Sequence, residues 1–183
     1  MPLVVENRRT QRKTHQKRYG DPLIIDVTSQ GQEPWVRFSP FYPHGSIPVP
    51  FSPGTFGASV EGIWQGLKVF EKAGVDLATL QNTTMKGIKR STRRYGNILG
   101  HRAGVTGDHL LPYVEARRAL YLPSYSWILT HQLEDLLQQV VHLQQEKSVV
   151  LLDYETNDDI ENTAKPLSHA ALIKAHLEDR WPM

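Results

Sequence analysis

At 183 residues, with 39% hydrophobic and 22% charged side chains, the chain has the length and make-up of one compact globular domain rather than of a disordered or fibrous protein. It contains no cysteine, which excludes disulfides, thiolate metal sites and a cysteine nucleophile. A formal net charge of +2 does not by itself argue for a polyanionic partner. No long apolar run is present, and Leu3, Val4 and Val5 are followed at once by Glu6 and Asn7, so a cytoplasmic protein without a membrane partner is expected.

In chain order, residues 8–18 (RRTQRKTHQKR) hold six cations and almost nothing apolar. With no face to bury, residues 1–20 are expected to form a mobile or surface-lying basic arm, and residues 21–183 the folded domain. PLIIDV, beginning at Pro22, reads as a strand. FSPFYPHGSIPVPFSPG carries five prolines, which remove the backbone donors of a helix or central strand, so it reads as an ordered loop presenting Phe38, Phe41 and Tyr42. A helix is expected over residues 59–72, with Ser59 as N-cap and Val60, Ile63, Trp64, Leu67 and Phe70 along one buried stripe. Further helices are expected over residues 113–121, ending at Pro123, and over 124–147. SVVLLDY reads as a buried strand, and Ser168 as the cap of a last helix, HAALIKAHL. The sum is an α+β fold, a mainly helical single domain with a small β-sheet.

Three segments carry candidate chemistry. In ASVEGIWQGLKVF, Glu61, Gln65 and Lys68 share a helical stripe, on which a carboxylate would handle a reacting centre, an amide would orient a sugar hydroxyl and an ammonium would hold phosphate. The same spacing also describes an ordinary exposed helix face. Gly62 and Gly66 each cost roughly 1 kcal/mol inside a helix, which calls for a close approach of another backbone or of a ligand. In TTMKGIKRSTRRYGNILGHR, cations including Lys86 and Arg90 crowd around Gly87, a composition suited to phosphate or to a nucleic-acid backbone and equally to a solvated basic face. In LLDYETNDDIENTAK, a buried strand delivers Asn157, Asp158 and Asp159 into a loop, either as a second carboxylate for glycosidic cleavage or as an acidic surface loop. Trp64 reads as core or as a stacking ring alongside Phe41 and Tyr42. The histidines show no metal-ligand pairing, so neither a metal nor a cofactor is expected.

Taken in order, these segments resemble the NADAR superfamily of YbiA-like proteins. FSPFYP echoes the family's F-S-N-F element, and SVEGIWQGLKVF its helix S-x-E-H-x-x-Q-x-x-K-F, with Gly62 where histidine is usual. MKGIKR, EARRALYLPSYSWILTHQLEDLLQQ and LLDYETNDDIENT resemble its later elements, and the resemblance covers roughly residues 23–178. It implies an N-glycosidase cleaving a C1'-N bond of a phosphoribosylated or ADP-ribosylated base. Glu61 would stand at the family's essential glutamate, Asp158 or Asp159 would replace an aspartate of a missing Tyr-Trp-Gly-Asp element, and Phe41, Tyr42, Trp64, Gln65, Lys68, Lys86, Arg90 and Asn157 would bind substrate. The rival is a non-catalytic module for ADP-ribose or nucleic acid.

Overall fold

The computed structural model describes residues 1–182; Met183, the last residue of the expected domain, lies outside the described residues. The strands are β1 (Leu3–Asn7), β2 (Leu23–Asp26), β3 (Ile47–Pro48), β4 (Phe56–Gly57), β5 (Lys68–Phe70), β6 (Ile98–Arg102), β7 (Leu110–Leu111) and β8 (Val149–Asp153). The helices are α1 (Arg12–Tyr19), α2 (Val60–Gly66), α3 (Leu77–Leu80), α4 (Thr92–Tyr95), α5 (Tyr113–Ala116), α6 (Leu122–His131), α7 (Glu134–Glu146) and α8 (His169–Leu177). Helices and small sheets together make an α+β protein. No helix among the described residues is long and apolar enough to cross a membrane. Contacts gather the chain into two compact units, one formed by Met1–Ser39 with the chain from His131 onward, the other by Pro40–Thr130.

The first unit is built on a parallel sheet of order β1-β8-β2, in which Val149 stands opposite both Leu3 and Leu23. Val149, Val150 and Leu151 are fully buried, as an apolar central strand covered on both faces requires. The N-terminal segment, expected as a mobile or surface-lying basic arm, contains regular structure, and its six cations are exposed. Its LVV run supplies β1, and its basic stretch forms α1, the crossover that parallel strands need. Arg8 is tied to Asp26 (2.7 Å) and Arg18 to Glu6 (2.7 Å), while the Tyr19 hydroxyl donates to Glu6 (2.7 Å). At the other end Ser168 caps α8 as expected, its Oγ accepting from the Ala171 N–H (3.2 Å).

Two helix expectations change here. The run over residues 124–147 is broken at Leu133 (φ −127°, ψ 10°), where the Gln132 carbonyl accepts from Arg37 Nη2 (2.8 Å) instead of from the next helical turn. Helix does not stop at Pro123 either. A π-helical turn, Arg117–Tyr121, leads into α6, and this wider turn accommodates a residue that lacks the N–H of regular helix and would crowd the preceding turn.

The second unit holds the sheet β5-β6-β7, antiparallel throughout, and the short ladder of β3 with β4 inside the proline-rich stretch. Here the expected helix over 59–72 ends early. α2 closes at Gly66, and Lys68–Phe70 turns into β5, paired to β6 with Lys68 opposite His101. The two glycines explain where α2 lies. A Cβ on Gly62 would stand 3.1 Å from the Thr79 carbonyl oxygen, and one on Gly66 3.1 Å from that of Asp76 and 3.0 Å from Leu80 Cβ. The close approach is made by the backbone of α3 and the residues leading into it.

Candidate functional site

Every residue of α2 is buried, including Glu61 (8% exposed) and Gln65 (5%), and Lys68 just beyond it is 7% exposed. The exposed helix face that the spacing also allowed is absent, because α3 covers one side and the β5-β6 pair begins directly after α2. Ser59 fixes the start of α2 by accepting from the Gly62 N–H (3.0 Å), and the Glu61 N–H donates to the Pro40 carbonyl (2.8 Å). That bond ties the aromatic loop to the first turn of the helix, one residue before Phe41.

Gln65 joins the charged pair. Its Oε1 accepts from the Lys68 ammonium (3.3 Å) and from the Arg90 backbone N–H (3.2 Å), both of which can only donate. Its amide nitrogen is thereby turned toward Glu61 and donates to Oε1 at 2.9 Å. The result is a carboxylate–amide–ammonium relay with the middle group held from both sides. Among the described residues, the second oxygen of Glu61 and the two remaining N–H groups of Lys68 have no protein hydrogen-bond partner and stay open to a ligand or solvent. Burial pushes the Lys68 ammonium below its usual pKa; the Glu61 charge opposes this, and Arg90 and Lys89 add to it.

A second layer supports the relay. Trp64 packs at a tilt against His101 (centroids 3.8 Å apart) and meets Tyr113 and Tyr121 edge-on, while Lys68 Nζ lies 5.7 Å from its ring. Of the two readings of Trp64, the structure favours core. His101, completely buried, has neither ring nitrogen hydrogen-bonded, and burial with help from Lys68 pushes its pKa down to about 3, so it is a neutral ring beneath the lysine. Sequence reading passed over His101. The missed signal was its place on a strand opposite Lys68, which only the β5-β6 pairing reveals.

Arg90, expected as an anion clamp, directs three of its bonds to backbone. Its Nη1 donates to the carbonyls of Gln65 (3.2 Å) and Lys68 (2.6 Å), its Nη2 to that of Gly74 (2.9 Å), and its guanidinium lies over Phe70 and Tyr95. With those donors spent on backbone, it braces the turn that carries the relay. Lys89 sits over Phe41 (5.5 Å), which is half-buried, and Lys86 is exposed on the neighbouring turn. Tyr42 packs on His44 (4.9 Å).

Asn157, Asp158 and Asp159 belong to the first unit. The Asn157 amide donates to the carbonyls of Asp159, Asn162 and Lys165, and Asp159 accepts from the Glu161 N–H (2.9 Å), so both shape their own loop. Asp158 is exposed and lines a cavity of about 430 Å³, with Lys174 and Tyr19 among its neighbours.

Fold and site together define an α+β protein with a buried, incompletely satisfied carboxylate–amide–ammonium relay. The chain belongs to a family of unknown function, DUF6939, whose model matches residues 7–173. No curated protein matches it.

Proposed function

We propose that the protein is an N-glycosidase that hydrolyses the C1'-N bond of a phosphoribosylated or ADP-ribosylated base, with Glu61 as its catalytic carboxylate. The observation that supports this reading is the relay's unused valence: one carboxylate oxygen of Glu61 and two N–H groups of Lys68, both residues largely buried and oriented by Gln65, have no protein partner among the described residues. The resemblance of SVEGIWQGLKVF to the NADAR helix supports the choice of reaction.

Cleavage of a C1'-N bond develops positive charge on the sugar. A carboxylate whose far oxygen is held by Gln65 offers its near oxygen to that charge and accepts the proton of the attacking water. Water oxygen bonds to C1', and the C1'-N electron pair leaves with the base, which takes its proton from the Lys68 ammonium or from solvent. Lys68 supplies a donor for a substrate phosphate or for the leaving base, and Phe41 with Lys89 offers a face on which a base can stack.

The test incubates the protein, and its Glu61→Gln variant, with an ADP-ribosylated guanine nucleotide and with a phosphoribosylated pyrimidine, and follows freed base by chromatography. Wild-type protein is expected to release base from one of them, and Glu61→Gln to be slower by about 10² to 10⁴ with an unchanged circular dichroism spectrum. Release by Glu61→Gln at the wild-type rate removes Glu61 from the reaction. Binding of ADP-ribose with no release from either substrate makes the protein a non-catalytic ADP-ribose module.

A further inference from the structure

The six cations of residues 8–18 divide into two groups once the segment is folded. Arg8 and Arg18 are engaged by Asp26 and Glu6 and fasten α1 to its unit. Arg9, Arg12, Lys13 and Lys17 are exposed, and none of them lies within ion-pair distance of a carboxylate among the described residues. Lys13 and Lys17 each stand two residues from His15, the one buried residue of α1. Two residues correspond to about 200° of helical rotation, so both project from the face opposite the buried one, one turn apart.

This placement is unfavourable for the helix by itself. Arg12 and Lys13 occupy the first turn, where the macrodipole is positive, no acidic residue offsets them, and Gln11 supplies no side-chain cap. Lys13 and Lys17 add a like-charge pair at i,i+4. Lys13 and Lys17 share the outer face of α1, Arg12 flanks it near Asp21, and Arg9 lies just before the helix, so this excess of exposed cations is what an anionic partner would offset.

The partner's class follows from what else the face lacks. α1 has no Leu, Ile, Phe, Trp or Met to enter a bilayer. Its only aromatic ring besides buried His15 is Tyr19, whose hydroxyl is held by Glu6, so no ring is offered for stacking on unpaired bases. We propose that Arg9, Arg12, Lys13 and Lys17 form a contact surface for the phosphate backbone of duplex nucleic acid, independent of base sequence and of the hydrolase reading above.

Four phosphate contacts predict a slope of log affinity against log salt of about −3.6, or about 10² in affinity between roughly 50 and 200 mM. The measurement is fluorescence anisotropy of random-sequence DNA and RNA duplexes titrated with the full chain across that salt range. Lys13→Gln combined with Lys17→Gln should bring the slope to about −1.8 and weaken binding at low salt by at least about tenfold, with an unchanged circular dichroism spectrum, whereas Lys72→Gln, an exposed change elsewhere, should leave both alone. No duplex binding at low salt, a slope unaltered in the double variant, or binding to anionic lipid vesicles in place of duplexes would overturn the proposal.

Discussion

Asp153 and His169 lie side by side in the first unit, 4% and 7% exposed, and the consequences of separating them can be worked out atom by atom. Asp153 Oδ2 accepts from Ser168 Oγ (2.8 Å), His169 Nδ1 (3.0 Å) and the Ala170 N–H (3.2 Å), and Oδ1 accepts from the Tyr154 N–H (2.7 Å). The other ring nitrogen of His169 meets the Val27 carbonyl (2.8 Å), which can only accept, so both nitrogens carry protons and the ring is an imidazolium. Burial alone would raise the Asp153 pKa and lower that of His169; their attraction outweighs it, leaving Asp153 below and His169 above their ordinary values. Asp153→Asn turns an amide N–H toward at least one of four donors and strands a buried cation, at a cost of about 3 to 5 kcal/mol. For a chain of this size that is a melting-point loss on the order of 6 to 20 °C. The pH dependence has two limbs. The Asp153 contribution is present above the ordinary carboxylate value of 3.8 and is lost as pH falls through its lower folded value. The His169 contribution is complete below the ordinary imidazole value of 6.5 and is lost as pH rises through its higher folded value. Urea unfolding of wild type and Asp153→Asn across this range should therefore show the largest difference between about pH 4 and 6.5. A difference below about 1 kcal/mol, or one that does not vary with pH, would refute the assignment of a buried ion pair.

Two further outcomes follow from the second unit. Gly66→Ala should gain about 1 kcal/mol of helix propensity but lose more than that by pressing a methyl group onto the α3 backbone, for a net destabilisation on the order of 1 to 2 kcal/mol in urea unfolding; a variant as stable as wild type would show that α3 yields. His101→Phe removes two buried nitrogens that have no partners and keeps the ring against Trp64, so its unfolding midpoint should stay within about 1 kcal/mol of wild type or rise; a loss above about 2 kcal/mol would show that those nitrogens are hydrogen-bonded.

What the sequence revealed was mostly local. β2, β8 and α8 with its Ser168 cap depend on short apolar runs and one side-chain bond, and all appear close to where the pattern puts them. Where the pattern failed, a tertiary partner decided. Val60, Ile63, Leu67 and Phe70 keep helical spacing across the end of α2, yet Lys68–Phe70 is a strand because β6 offers a ladder. Leu129, Leu133, Leu136 and Val140 likewise keep the helical period through the break at Leu133, and all four are buried on either side of it. Nothing in that spacing announces that Arg37, far away in sequence, takes the Gln132 carbonyl. The LVV of β1 was too short to stand out beside the basic run that follows it. At the site, the residue types and spacing of Glu61, Gln65 and Lys68 were legible, but Lys68 meets Gln65 from a strand rather than from the same helix, and the burial of all three was not visible.

Incomplete hydrogen bonding, rather than burial, separates the relay from the buried Asp153–His169 pair. A charge withdrawn from water is costly unless its lone pairs or protons are matched, and a purely structural pair should be matched completely. Asp153 and His169 meet that condition: both carboxylate oxygens accept, and both ring nitrogens donate. Arg90 approaches it, with Nη1 and Nη2 bonded to three carbonyls. Glu61 and Lys68 do not, since Gln65 satisfies one oxygen of the first and one N–H of the second and stops there. The same chain thus shows what a completed buried charge looks like and, on α2 and β5, one that is oriented but left open. A ligand with an electron-deficient centre for Glu61 and an anionic or basic atom for Lys68 would complete it, and the proposed N-glycoside substrate offers both.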